Sequence, residues 1–135
     1  DCITMWTVLE HIDNINLYIK NIKTKLKKNG KIIINVPNVN SLSATILQEK
    51  CTMFSGEQHI NHFSVQTLKF FLKKHNFKIK KIEILLTDFG TVKKYLNFTK
   101  LNKNEKNYSE NLFDINKIHS EFLGYTIFCI AELNK

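Results

Sequence analysis

Apolar residues recur along the first third of the chain in an order that predicts a strand, a helix and a second strand. Cys2–Trp6 is a short apolar run of the kind found in buried strands. From Ile15 to Leu26, isoleucine and leucine repeat at intervals of four, three and four, which predicts an amphipathic helix ending near Lys28. Lys31–Val36 is almost wholly apolar, as in a strand covered on both faces. This order predicts a right-handed crossover between two parallel strands.

The rest of the chain predicts further helices and a second pair of strands. Ser41 to about Gln48 has the pattern of a short helix. Ser64 is a suitable N-cap for an amphipathic helix that ends near His75. Phe77–Leu86 alternates and then becomes continuously apolar, which is typical of an outer strand, and Tyr125–Leu133 is its predicted antiparallel partner.

The segment between these last two strands is the least determined by its pattern. The pattern predicts a helix at Val92–Leu101 and a helical turn at Ile115–Phe122. A polar stretch, Asn102–Asn111, lies between them. A chain of 135 residues is long enough for one domain with a core of its own. The patterns together predict a single α/β domain with parallel strands and a terminal antiparallel strand.

Charge and composition narrow the classes of partner. The formal net charge is +8, but every basic residue is Lys, whereas Arg is favoured in recognition of phosphates and bases. The densest basic stretches, Lys20–Lys31 and Lys69–Lys81, have the spacing of solvated helix faces, so no nucleic-acid partner is expected. No apolar run is long enough to cross a membrane and no secretion signal is evident, so a cytoplasmic protein without membrane insertion is predicted.

The three cysteines do not form a metal-binding or disulfide pattern. Cys2, Cys51 and Cys129 are odd in number, far apart and without CxxC spacing. They are interpreted as reduced thiols, with Cys2 and Cys129 inside apolar strands.

Four motifs follow one another along the chain at ordinary loop spacings. They are Asp1-x-Ile3-x-Met5-Trp6-x-Val8-Leu9-Glu10-His11-Ile12, Leu26-Lys27-Lys28-Asn29-Gly30-Lys31, Ile32-Ile33-Ile34-Asn35-Val36-Pro37-Asn38 and His59-x-x-His62-Phe63-Ser64-x-x-Thr67-Leu68. In this order they resemble the C-terminal half of a class I S-adenosylmethionine-dependent methyltransferase with a Rossmann-like sheet. The subgroup that they resemble is the small-molecule methyltransferases, which include quinone O-methyltransferase relatives and enzymes of cell-surface sugar or secondary metabolism.

The resemblance implies that residues 1–135 are one partial domain, corresponding to strands four to seven of the family fold. In the family, the N-terminal half supplies a Gly-rich loop and an acidic residue that bind the cofactor, and this chain has only four Gly and no GxGxG. The missing half of the fold is therefore an expected partner, together with a small-molecule substrate. The implied reaction is methyl transfer from S-adenosylmethionine to a small-molecule or cell-surface-sugar-type acceptor. The alternative is a truncated remnant that works, if at all, by binding another protein.

The resemblance also implies a set of cofactor-binding residues. Ligands of open α/β sheets bind beyond the carboxyl ends of the strands, and the first strand ends at Trp6. Met5, Trp6 and Thr7 are predicted beside the methionine part of the cofactor, with Glu10 and His11 nearby. The alternative is that Met5 and Trp6 belong to the core, and that Glu10 or His11 hydrogen-bonds loop backbone.

Two histidines and one asparagine are further candidates. His59 and His62 lie three residues apart before the Ser64 cap, and three interpretations compete. They are a zinc pair, a general base that takes a proton from a substrate hydroxyl, or a structural imidazole under the helix start. The predicted catalytic role is that of the base. Asn38, at the exit of the second strand, is predicted to contact substrate, with hydrogen bonds to loop backbone as its alternative.

No metal site is expected. Glu10 and His11 are adjacent and are expected to point in different directions, so they do not form a metal site by themselves. Some quinone-type relatives have a divalent ion near the Leu-Glu-His stretch, but with acidic residues just upstream, where this chain has Thr7 and Val8. The His59 and His62 pair has no Cys or further His at ligand spacing.

Overall fold

A computed structural model of the protein describes residues 1–54, 56, 58–85, 90, 92 and 113–134. The strands are β1 (Cys2–Trp6), β2 (Lys31–Pro37), β3 (Phe77–Leu85) and β4 (Thr126–Leu133). The α-helices are α1 (Ile15–Lys25), α2 (Leu42–Leu47), α3 (Val65–Lys74) and α4 (Ile115–Ser120). Short 3-10 helices cover Leu9–His11, Gln48–Lys50 and Thr52–Phe54. The predicted helix Val92–Leu101 and the polar stretch Asn102–Asn111 fall outside the described residues, except for Val92.

The four strands form one mixed sheet in the order β1-β2-β4-β3. β1 and β2 are parallel, with Met5 opposite Ile34, and β4 pairs antiparallel with both β2 and β3. The predicted parallel and antiparallel pairs are therefore confirmed, and so is the α/β fold class. The sequence pattern did not predict that β4 lies between β2 and β3.

The first strand is less buried than its apolar sequence predicts. Cys2, Thr4 and Trp6 are exposed, and Met5 is buried. β1 is an edge strand of the described sheet, and alternate residues of a strand point to opposite faces, so the face that carries Cys2, Thr4 and Trp6 has no cover among the described elements. Cys2 does lie in the strand, as predicted, but the expectation that the strand is buried was wrong for this reason.

The helix ends follow local capping chemistry. The Asn14 side chain accepts a hydrogen bond from the Leu17 amide at the start of α1. Asn29 has a φ of 60°, the left-handed conformation that Asn tolerates, and it reverses the chain into β2. α1 itself ends at Lys25, three residues earlier than predicted. The predicted Ser64 cap of α3 is confirmed, and Ser64 and Thr67 form a reciprocal capping box.

The core lies between the sheet and helices α1 and α3. Its fully buried apolar side chains include Leu9, Ile19, Ile32, Ile34, Leu68, Leu72, Ile127 and Leu133. No helix among the described residues combines the length and the apolar character that crossing a membrane requires. The core thus fixes β1 and β2 side by side, and with them the loops that leave their carboxyl ends.

Candidate functional site

The exit of β1 carries an exposed tryptophan and a strained residue. Trp6 is 54% exposed, and its ring centroid lies 6.0 Å from that of Phe128 on β4. Thr7 has a φ of 51°, which is uncommon for a β-branched residue, and its amide donates to the Asn35 carbonyl at 2.9 Å. Trp6 is thus not a core residue, and its indole faces outward at the carboxyl end of the strand.

Met5 lies on the other face of β1. Its side chain is 2% exposed and packs in the main core. This is the position of a core residue, which was the alternative to a cofactor contact. The predicted contact between Met5 and the cofactor stays a prediction.

The loop after β1 is fixed by a segment far away in sequence. The Glu10 carbonyl accepts hydrogen bonds from the Ile60 amide at 2.7 Å and from the Asn61 amide at 3.0 Å. The Asn61 side-chain amide donates to the Leu9 carbonyl at 3.0 Å and to the Ile12 carbonyl at 2.7 Å. Four hydrogen bonds from Ile60 and Asn61 therefore hold the 3-10 helix Leu9–His11 in place.

Glu10 is a buried carboxyl that makes no hydrogen bond to another described residue. The residue is 1% exposed, and within the described part of the chain neither carboxylate oxygen has a hydrogen bond to another residue. Burial raises the pKa of Glu10, while its own backbone amide and the nearby imidazoles of His11 and His59 lower this pKa by less. A buried charge is costly unless it is paired, so this carboxyl needs a physical explanation.

Two histidines converge on Glu10. The ring centroids of His11 and His59 are 5.0 Å apart, and His11 Nε2 lies 4.0 Å from Glu10 Oε1. His11 Nδ1 lies 2.5 Å from the Gln58 carbonyl, and His59 Nδ1 lies 3.0 Å from the Met53 carbonyl. A carbonyl oxygen only accepts hydrogen bonds, so both Nδ1 atoms donate. In each neutral ring, Nε2 is then left with a free lone pair.

These three side chains can act as a ligand set. One potential ligand atom from each of Glu10, His11 and His59 lies within 4.8 Å of the others. His11 is exposed and His59 is partly buried, so the cluster is reachable from solvent.

His62 is separated from His59 in space. It is exposed, and its ring packs against Phe54 with centroids 5.6 Å apart. The two histidines of the His-x-x-His motif thus have different neighbours. Their predicted catalytic roles stay predictions, and the structure brings His59, rather than His62, next to Glu10 and His11.

Asn38, at the exit of β2, is fully buried and fully hydrogen-bonded. Its side-chain amide donates to the carbonyls of Phe122 and Gly124 at 2.8 and 2.9 Å, and its oxygen accepts from the Asn40 amide at 3.2 Å. Asn38 therefore hydrogen-bonds loop backbone, which was the alternative to a contact with substrate. Contact between Asn38 and a substrate stays a prediction.

The association of His59 with Glu10 and His11 was not predicted from the sequence. Metal and catalytic motifs are recognised at short spacing, which pairs His59 with its neighbour His62 instead. The signal that could have found it is the Asn61 side chain, whose two donors suit the free carbonyls of a nearby loop.

Comparisons with known proteins identify the family. Residues 1–82 match the family described as "Methyltransferase domain". The chain belongs to this methyltransferase domain family. The match covers β1, α1, β2, α2, α3 and most of β3, which are the elements around the candidate site.

A solved structure supports the methyltransferase fold over almost the whole chain. It is described as the crystal structure of a SAM-dependent methyltransferase from Archaeoglobus fulgidus. The likeness has a TM-score of 0.56 and 24% sequence identity, and it covers 98% of this chain and 58% of that one. This chain thus spans little more than half the length of the archaeal methyltransferase. No curated protein matches it.

Proposed function

We propose that this chain is the C-terminal part of an S-adenosylmethionine-dependent methyltransferase that acts on a small-molecule or cell-surface-sugar-type acceptor. The observation that carries the proposal is the family match over residues 1–82, which contains both parallel strands and the loops at their carboxyl ends. In open α/β sheets these loops are where ligands bind.

The exit of β1 fits one side of a cofactor site. Trp6 presents an exposed aromatic surface there, and the φ of 51° at Thr7 turns the chain away from the strand end. In this proposal Met5, Trp6 and Thr7 lie along the methionine part of the cofactor, with Glu10 and His11 next to them. The cofactor supplies an activated methyl group, and the chain's own task is to position the acceptor and to receive its proton.

His59 is the better placed of the two predicted bases. Its Nδ1 donates to the Met53 carbonyl, which leaves Nε2 as the proton acceptor. His62 is exposed beside Phe54 and is the weaker candidate. Asn38 would orient the acceptor through the loop that it holds rather than through its amide, because its amide is already hydrogen-bonded to two carbonyls.

The proposal includes a missing half. The Gly-rich loop and the acidic residue that bind the cofactor would lie upstream of Asp1, in strands that pair with the outer edge of β1, which is an edge strand of the described sheet. A cytoplasmic location and the absence of a nucleic-acid partner complete the proposal.

Calorimetric titration with S-adenosylmethionine tests this assignment. We expect no useful affinity in the 135-residue chain and binding in a chain extended upstream through the Gly-rich strand. Micromolar binding by the short chain would contradict the missing-half argument. Failure of both chains to bind would favour a non-catalytic remnant.

Turnover by the extended protein tests the base. His59→Ala should lower turnover by about 10²-fold or more while cofactor affinity stays nearly unchanged. The matched variant His62→Ala should leave turnover almost unaltered. Equal losses of binding and turnover in both variants would mean that the two histidines are structural.

A further inference from the structure

The cluster of Glu10, His11 and His59 combines features that a structural role does not explain. Buried carboxyls are normally hydrogen-bonded, yet the two oxygens of Glu10 have no hydrogen bond to another residue within the described segments. Two imidazoles lie next to this carboxyl, and of these two His11 approaches it as an ion pair, at 4.0 Å. This distance is too long for a hydrogen bond.

The two histidines are held in the orientation that metal-binding histidines adopt. A histidine that binds a metal through one nitrogen usually donates the other ring N–H to a carbonyl or carboxylate. Both rings do so here, His11 to the Gln58 carbonyl and His59 to the Met53 carbonyl. These two hydrogen bonds select the tautomer in which Nε2 is free to bind an ion.

The backbone around the cluster is also fixed in advance. Glu10 and His11 belong to one 3-10 helix, and the Asn61 side chain and two backbone amides bind that helix to the segment carrying His59. The third ligand therefore comes from a second segment, which removes the objection that Glu10 and His11 alone cannot form a site.

We propose that Glu10, His11 and His59 bind one divalent transition-metal ion of the Zn²⁺ class. One carboxylate oxygen and two imidazole nitrogens are a common ligand set for zinc, with bonds of about 2.0 to 2.2 Å. Ligand atoms on a tetrahedral ion of this kind lie about 3.3 to 3.6 Å apart. One potential ligand atom from each of the three side chains lies within 4.8 Å of the others, so the side chains have to close by up to about 1.5 Å.

An ion at this place would have open coordination positions. Three protein ligands leave at least one position of a zinc ion free, and the His11 side chain is 39% exposed at the surface of the cluster. In a methyltransferase the free position would take an oxygen of the acceptor and ease the loss of its proton. With the ion bound, His59 Nε2 is a ligand and is no longer the base, so the proton of the acceptor would pass to solvent water; His59 is the general base only in the metal-free protein. This role rests on the proposed function, whereas binding of the ion does not.

Isothermal titration of the metal-free chain with Zn²⁺ tests the site without any measurement of methyl transfer. We expect one ion per chain, and we expect Glu10→Gln and His59→Ala each to lower the affinity by at least about 10-fold. His62→Ala, which removes the neighbouring histidine of the same motif, is the matched control and should leave the affinity unchanged. Absence of saturable binding, or equal losses in His62→Ala and His59→Ala, would overturn the proposal.

A second measurement uses the unmodified chain and so does not depend on variants that fold poorly. Nitrogen-15 spectra of the imidazoles, recorded during a Zn²⁺ titration, should show large shifts at Nε2 of His11 and His59. The rings of His62, His75 and His119 should not move. Shifts spread over all five histidines would show surface binding only and would contradict the assigned site.

Discussion

Asn38 and Glu10 are two buried polar residues that follow neighbouring parallel strands, and they differ in one respect. The amide of Asn38 makes three hydrogen bonds to backbone groups, two as donor and one as acceptor. The carboxyl of Glu10 has no such bond to another described residue, although it is just as inaccessible. A buried polar group that is hydrogen-bonded, like Asn38, supports the structure. A buried polar group without hydrogen bonds, like Glu10, lowers the stability of the fold. The contrast shows that hydrogen bonds hold the exit of β2, and it supports the proposal that the loop after β1 binds a ligand.

Loss of the Asn38 side chain is expected to have the largest effect on stability. Asn38→Ala leaves the Phe122 and Gly124 carbonyls without their donor and should lower the free energy of unfolding by about 2 to 4 kcal/mol. Urea unfolding measures the change. Asn40→Ala, at an exposed position two residues away, is the control and should change it by less than about 0.5 kcal/mol. Similar losses of unfolding free energy in Asn38→Ala and Asn40→Ala would contradict the structural role of the Asn38 hydrogen bonds.

Asn61 should affect both stability and the binding site. Asn61→Ala removes the donors to the Leu9 and Ile12 carbonyls and should cost about 1 to 2 kcal/mol of unfolding free energy. Because these bonds position the ligands, Zn²⁺ affinity should also fall by about 10-fold or more. Thermal unfolding and titration calorimetry measure the two effects, with exposed Asn21→Ala as the control. If Asn61→Ala destabilises the chain but leaves its Zn²⁺ affinity unchanged, the hydrogen bonds of Asn61 do not position the metal ligands.

Glu10 should respond in the opposite direction from Asn38. Glu10→Gln removes a buried charge that has no hydrogen bond to another described residue, so the metal-free chain should gain about 1 kcal/mol of unfolding free energy at pH 8. With Zn²⁺ at about 100 times its Kd, the unmodified chain should gain about 2.7 kcal/mol and the variant much less. Denaturant unfolding with and without the ion measures both. Glu49→Gln, on the exposed surface, controls for charge alone. A clear loss of stability in metal-free Glu10→Gln would mean that the Glu10 carboxylate makes stabilising interactions in the fold without any ion.

His75 is another buried polar residue. Like Asn38, it has a hydrogen-bond partner inside the protein. Its Nε2 lies 3.0 Å from Asn16 Oδ1, and burial, aided by the charges of Lys74, Lys23 and Lys20, lowers its pKa from the ordinary 6.5. The neutral ring is favoured in the folded state, so this stability is present above pH 6.5 and is lost as pH falls through the lowered pKa. Unfolding free energies between pH 8 and pH 5 should fall less in His75→Gln than in the unmodified chain. Equal pH dependence would contradict the assignment.

The smallest effect concerns the cysteines. Burial raises the pKa of the Cys129 thiol to about 12, and Cys51 is also buried, whereas Cys2 is exposed on the uncovered face of β1. Reaction with iodoacetamide should therefore modify Cys2 in the folded chain and all three cysteines only after unfolding. Peptide mass spectrometry measures this. Fast modification of Cys129 in the folded chain would show that β4 is not a central strand.

The local fold could be predicted from the sequence because its signals are local. The isoleucine spacing of α1, the apolar run of β2 and the Ser64 cap each depend on a few neighbouring residues. The place of β4 between β2 and β3 could not be predicted, since register between distant strands has no local signal. The same limit applies to the site. His11 and the Gln58 carbonyl that orients it are 47 residues apart, and only the folded chain brings them together.

Anomalous X-ray scattering from crystals of the chain grown with Zn²⁺ tests the central claim most directly. Data collected on both sides of the zinc absorption edge should show one strong peak about 2.0 to 2.2 Å from a Glu10 oxygen and from Nε2 of both His11 and His59. In the same map the amide of Asn38 should keep its hydrogen bonds to Phe122 and Gly124. Well-ordered Glu10, His11 and His59 side chains without an anomalous peak between them would contradict the account.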